Sequence, residues 1–217
     1  MLNAYFITGI GTDVGKTIVS AILAEALGAH YWKPIQAGFS EGTDTEKVAT
    51  LVSHKACKFY AELYKLQLPA SPHIAAREEK KTIEVVKLLQ AFEEIKVKTR
   101  DRDLLIEGAG GLLVPLGDQL LVADFIKLLR IKVILVSRNY LGSINHSLLT
   151  AAFCRSNDIP VAGWIFTDTY MDYEEEIVKW SGYPKITNVP LLPNIDAVTI
   201  AEVAKQKKNA ILQALHG

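Results

Sequence analysis

Apolar and polar positions along the chain alternate between two kinds of segment. Short apolar runs of strand length are Leu2 to Thr8, His30 to Lys33, Leu104 to Ile106, Lys132 to Val136, Val161 to Phe166 and Ile186 to Val189. Between them lie longer stretches with helical spacing: Thr17 to Leu27, Thr43 to Ser53, Thr82 to Val97, Val122 to Leu129, Ile144 to Arg155, Tyr173 to Trp180 and Ala197 to Leu215. Strands alternating with helices predict an α/β fold, a predominantly parallel sheet with helices on both faces. The unbroken run Val133-Ile134-Leu135-Val136 fits a central strand buried on both sides. Gln67 to Lys81 carries Pro69, Pro72 and the cluster Arg77-Glu78-Glu79-Lys80-Lys81, and reads as a long surface loop.

At 217 residues the chain is long enough for one domain with a sizeable core, residues 1–217. Lys plus Arg and Asp plus Glu each number 24, so the formal net charge is zero. That balance gives no footprint for nucleic acid or an anionic membrane. No apolar run approaches the ~20 residues a membrane span needs, and no leader pattern is visible, so a cytoplasmic protein is expected. Cys57 and Cys154 have no CxxC or Cys/His spacing and read as small packed side chains.

The strongest chemical signal is Gly9-Ile10-Gly11-Thr12-Asp13-Val14-Gly15-Lys16-Thr17. It is a phosphate loop (P-loop) one residue longer than G-x-x-x-x-G-K-[ST], with five residues between Gly9 and Gly15. Glycines let backbone N–H groups turn inward onto phosphate oxygens. The helix that follows adds its positive end. Lys16 places a cation on the β and γ phosphates, and the Thr17 hydroxyl can join the shell of Mg²⁺. The fold expectation is therefore P-loop NTPase-like.

Such an enzyme needs a carboxylate at the end of a neighbouring apolar strand. Leu104-Leu105-Ile106-Glu107 has that shape, and Gly108-Ala109-Gly110-Gly111 lets backbone pass close to a ligand. Asp44 stands where a helix begins, a place that suits an N-cap. Lys33 closes the second strand, on the edge where functional groups gather in parallel sheets, and Pro34 restricts its backbone. A surface lysine with a packed stem reads equally well from these residues alone. His73 and His146 read as structural rather than catalytic.

Together these segments resemble dethiobiotin synthetase. The resemblance rests on the phosphate loop, Trp32-Lys33-Pro34-Ile35-Gln36-Ala37-Gly38, Leu68-Pro69-Ala70-Ser71-Pro72-His73, Glu107-Gly108-Ala109-Gly110-Gly111 with Pro115-Leu116, Leu141-Gly142-Ser143-Ile144-Asn145-His146, and Ala162-Gly163-Trp164, in that order. It implies a homodimeric ligase of biotin biosynthesis that joins CO₂ or bicarbonate to 7,8-diaminopelargonic acid and closes a cyclic urea, with ATP cleaved to ADP and phosphate. It implies that Lys33, Lys16 and Thr12 stand at the reacting atoms. Nucleotide contacts would come from Asp13, Val14, Gly15, Lys16, Thr17, Ile18, Asp44, Glu107, Gly108, Ala109, Gly110, Thr167 and Pro190. Thr17, Asp44 and Glu107 would hold Mg²⁺, which replaces the cap reading of Asp44. Substrate would meet Thr12, Lys33 and Ala37, and its carboxylate would meet Gly142, Ser143, Ile144 and Asn145 of the partner subunit.

The chain departs from the family pattern at two places. Ala37 stands where many relatives carry a hydroxyl, which removes one hydrogen bond to substrate. Thr167 stands where relatives often carry an adenine-reading Asn, and a hydroxyl lacks the paired donor and acceptor of an amide. Reduced base selectivity is the expectation. The segment after Pro193 matches the family poorly. Two other P-loop classes compete. Amidotransferase-like synthetases of cobalamin synthesis are usually larger and carry a glutaminase domain, for which this chain has no room. Partition or targeting switch ATPases typically carry an early lysine in the loop, where this chain has Ile10 and Gly11.

Overall fold

The computed structural model describes residues 3–99 and 101–217. Its core is a seven-stranded, all-parallel sheet. The chain runs β1 (Ala4–Gly9), α1 (Lys16–Leu27), β2 (His30–Trp32), β3 (Ile35–Ala37), α2 (Asp44–Leu51), β4 (Phe59–Tyr60), β5 (Tyr64–Leu66), α3 (Pro72–Glu78) and α4 (Val85–Lys98). It continues with β6 (Leu104–Gly111), β7 (Pro115–Gly117), β8 (Leu120–Leu121), α5 (Val122–Leu129), β9 (Lys132–Arg138), α6 (Ser143–Ser156), β10 (Val161–Thr167), α7 (Glu174–Ser181), β11 (Lys185–Val189) and α8 (Ala197–His216). Sheet order is β11-β10-β9-β1-β6-β2-β4, with β1 at the centre. β3 pairs with β5, and β7 with β8, in two small satellites.

Strand periodicity divides the core in two. Phe6, Leu104, Ile106, Val133, Leu135, Trp164 and Phe166 face α4, α5, α6 and α7. Their neighbours Tyr5, Ile7, Leu105, Ile134, Val136 and Ile165 face α1, α2 and α8. Each central strand is thus apolar at consecutive positions because helices cover both faces. Among the described residues, no helix is long and apolar enough to cross a membrane.

Every expected strand and helix is present, with end shifts of a few residues. The first strand starts at Ala4; Leu2, where it was expected to begin, lies outside the described residues. β6 runs on through Glu107 to Gly111, because Ile7 pairs with Glu107 and Gly9 with Gly111 across the centre of the sheet. The expected loop Gln67 to Lys81 is a correction: it contains α3, which starts at Pro72 in its first turn. Glu79 Oε1 accepts from the N–H groups of Gln67 and Leu68, at 2.5 and 3.3 Å, and ties the segment back on itself.

Candidate functional site

The site lies at the carboxyl ends of β1, β2 and β6. After β1 the backbone curls through Asp13 (φ 55°) and Gly15 (φ 89°), the left-handed region that Gly enters freely. A Cβ on Gly15 would also meet Thr167 Cγ2 at 3.2 Å. Lys16 opens α1, is buried, and donates to the Gly11 carbonyl at 2.9 Å across its own loop. Burial pulls its ammonium below the usual lysine range, with Glu107 partly opposing and Lys33 adding to the fall.

Glu107 is fully buried. Ser20 (2.7 Å) and Tyr31 (3.0 Å) donate to its Oε2. Its Oε1 faces Thr17 Oγ1 at 3.0 Å and Lys33 Nζ at 3.1 Å. Burial, then Glu107, push the Tyr31 phenol well above its usual range, so it remains a donor. Asp44 completes the group: its Oδ1 lies 3.1 Å from Thr17 Oγ1, and its Oδ2 accepts from Lys33 Nζ. Burial would lower the Lys33 pKa, but Glu107 and Asp44 outweigh it and hold the ammonium above its ordinary value. Asp44 is held below its ordinary value, because Lys33 outweighs burial.

Asp44 does not cap α2. Thr43 does: its hydroxyl accepts from Glu46 N at 3.2 Å, and Glu46 Oε2 accepts from Thr43 N at 2.8 Å, a capping box. The cap leaves the Asp44 carboxylate free to turn to the cleft, while Gln36 Oε1 accepts from its N–H at 3.2 Å.

Thr12, Asp13, Gly15, Lys16, Thr17, Ile18, Lys33, Ala37, Asp44, Glu107, Ala109 and Gly110 line one cleft of about 750 Å³, with Pro69 to Pro72 along its other side. A second hollow of about 260 Å³ adjoins it, lined by Ile18, Thr167, Val189, Pro190, Leu191 and Leu192 among others. Thr167 Oγ1 donates to the Val14 carbonyl at 2.9 Å, so that hydroxyl is engaged and Val14 contributes backbone alone. Gly108 lines neither hollow; it lies against Phe6, whose Cε1 a Cβ there would approach to 2.6 Å.

Gly142, Ser143, Ile144 and Asn145 line neither hollow. The Ser143 hydroxyl is buried and bonded to Tyr173 Oη at 2.7 Å. His146 Nδ1 pairs with Tyr140 Oη at 2.7 Å, and His73 Nδ1 with Ser71 Oγ at 3.0 Å. Sequence reasoning missed Ser20, Tyr31 and Gln36. Ser20 lies one turn after Thr17 on α1, a spacing that signals a shared face; Tyr31 sits inside an apolar strand and carries no such signal.

The donor set fits Mg²⁺. It offers two carboxylates and a hydroxyl, all hard oxygens, around a point where the chain's own ammonium already sits as a cation.

The sequence matches the AAA domain family over residues 3–199. It is 44% identical to the ATP-dependent dethiobiotin synthetase BioD of Christiangramia forsetii over 98% of this chain and all of that one. It is 47% identical to the protein of the same name from Cytophaga hutchinsonii, over 87% of this chain and 88% of that one. Among solved structures, a ParA family ATPase from Chlorobium tepidum superposes over the full length of both chains with a TM-score of 0.65 at 12% identity, a likeness of fold alone. At these identities and coverages the chain belongs to the dethiobiotin synthetase family.

Proposed function

We propose that the chain, working as one catalytic domain, converts 7,8-diaminopelargonic acid, CO₂ and ATP into dethiobiotin, ADP and phosphate. The carrying observation is the convergence of Lys16, Lys33, Thr17, Asp44 and Glu107 on one cleft beside a phosphate loop. A carbamate is an anion and a poor electrophile. One amine takes up CO₂, and the carbamate oxygen attacks the γ-phosphorus of ATP, with ADP leaving. The second amine then attacks the mixed anhydride carbon, phosphate departs, and that nitrogen loses a proton as the urea closes, the first nitrogen having lost its own when the carbamate formed. Lys33 and Lys16 stabilise the carbamate and the charge on the phosphoryl group in flight. Thr12 lies on the same wall. Thr17, Asp44 and Glu107 hold Mg²⁺, which neutralises phosphate charge when bound.

The nucleotide base occupies the hollow beside Thr167 and Pro190. Much of its wall is apolar, Arg138 and Asp168 on its rim pair with each other at 3.1 Å, and Val14 engages the Thr167 hydroxyl, so it reads the base weakly. The active unit is a homodimer in which Gly142 to Asn145 reach the partner's cleft. Exposed Leu113, Leu141 and Leu149 beside this segment support that interface. Tyr173 engages the Ser143 hydroxyl, so Ile144 and Asn145 at the start of α6 carry the anion contact. Ala37 offers substrate no hydroxyl. An ATP-consuming ligase works where nucleotide is supplied, so the proposed location is the cytoplasm.

Bicarbonate labelled with ¹⁸O tests the route. The carbamate oxygen that attacks phosphorus leaves with it, so label should appear in the inorganic phosphate. Unlabelled phosphate under conditions of slow exchange with water would rule out the anhydride.

A further inference from the structure

The two carboxylates that face the cleft hold a cation that belongs to the chain itself. Lys33 Nζ bridges Asp44 Oδ2 and Glu107 Oε1. Thr17 Oγ1 touches both carboxylates, at 3.1 and 3.0 Å. A hydroxyl has one proton, so only one of those contacts is a hydrogen bond at any moment, and a cation between the carboxylates relieves the other. The carboxylates have less reach than the lysine. Glu107 is pinned through Oε2 by Ser20 and Tyr31. The Asp44 backbone is held by the capped start of α2 and by Gln36, which accepts from its N–H, so its one-carbon side chain moves little. Lys33 hangs on a four-carbon stem and also lines the cleft. It is the partner that can move.

From this geometry we propose that Lys33 is an internal counter-cation that bars free divalent ions from the carboxylate pair, and that it swings into the cleft when Mg²⁺ enters with the nucleotide. This rests on the proposed reading of Asp44, Glu107 and Thr17 as the metal-holding groups. With Lys33 in place the cluster carries one net negative charge, too little to hold a divalent ion a few ångströms from an ammonium. Nucleotide phosphates add the missing negative charge, and the displaced ammonium is repelled into the cleft that Lys33 already lines. That is the cleft where the carbamate anion would form. A single side chain thereby keeps the metal site closed to free ions and delivers positive charge to the reacting oxygen once nucleotide is present.

The test is a titration with Mn²⁺ in place of Mg²⁺, followed by electron paramagnetic resonance without nucleotide. Lys33→Met keeps the stem and removes the charge; it should bind Mn²⁺ at least about tenfold more tightly than the wild type. Lys33→Arg should stay as weak as the wild type. Equal affinity in wild type and Lys33→Met, or binding in neither, overturns the proposal. Lys33→Met leaves two buried carboxylates facing each other, so a measurement on the wild-type chain stands beside it. Acylation of Lys33, read by peptide mass against exposed Lys208, should stay low with Mn²⁺ alone and rise several-fold with Mn²⁺ and a non-hydrolysable ATP analogue together; labelling that the pair leaves unchanged, or that Mn²⁺ alone raises as much, overturns the proposal even if the variant fails to fold. Neither arm uses the diamine or turnover, so a failure here is distinct from a failure of the ligase reading.

Discussion

Lys33 is buried with its charge intact because two carboxylates surround it. In the proposed mechanism it stabilises charge on an oxygen, whereas the nucleotide rests on the phosphate loop and on the hollow beside Thr167. Lys33→Ala should therefore lower turnover by at least about a hundredfold and leave nucleotide affinity within a few-fold, measured by steady-state assay and by calorimetry. Near-normal turnover would remove Lys33 from the mechanism. Glu107 was legible because a carboxylate follows an apolar run and precedes glycines; Lys33 read equally well as a surface lysine, and the resemblance placed it at the site. Tyr31 was not, because a tyrosine within His30-Tyr31-Trp32 has the same pattern as any core aromatic. The resemblance gave Asp44 its place at the site, and the structure adds that its neighbour Thr43 is the cap. Two elements of local chemistry were thus compressed into one residue in the sequence reading.

The elements that hold the site make their own demands. α2 begins with the Thr43–Glu46 capping box, and that box aims Asp44. Thr43→Ala should lower stability by about 1 kcal/mol, read by urea denaturation, and should weaken divalent-ion binding along with it. Stability loss without any change in ion binding would mean that the box supports the fold and not the site. The end of β10 makes the second demand. Val14 occupies its Thr167 hydroxyl and much of the wall around it is apolar, so GTP or CTP should partly replace ATP in a nucleotide competition assay; strict ATP preference would contradict this. The long strands and helices were legible from periodicity, since each faces an apolar core on one side or both. α3 was hidden because Pro69, Pro72 and the charged run at 77–81 carry turn chemistry, although Pro at a first helical position is compatible with a helix start. β3, β5, β7 and β8 are two or three residues long, too short for any period to show.

At the scale of the molecule, the sheet buries two cores, one on each face; Cys154 lies in one of them, and Cys57 is half-buried outside both. Burial pushes the Cys154 thiol up to about 12. Burial, then Glu25, push Cys57 up to about 11, against a smaller pull from Arg102. Both values are raised on folding, so the thiols' stabilising effect is whole below their ordinary value of 9.0 and is lost as pH rises toward 11 to 12. The urea midpoint should fall as pH climbs above about 9, and thiol reagents at pH near 8 should label both cysteines slowly until the chain is denatured. Rapid labelling of the native chain would mean that the face holding Cys154 opens easily. The fold is shared with a ParA family ATPase, so the substrate is what separates a ligase from a switch. The most direct measurement is phosphate release from MgATP and bicarbonate, with and without 7,8-diaminopelargonic acid, with the product identified by mass. Release should depend on the diamine and match dethiobiotin one for one; release that ignores the diamine, with no dethiobiotin formed, would mean the chain is not this ligase.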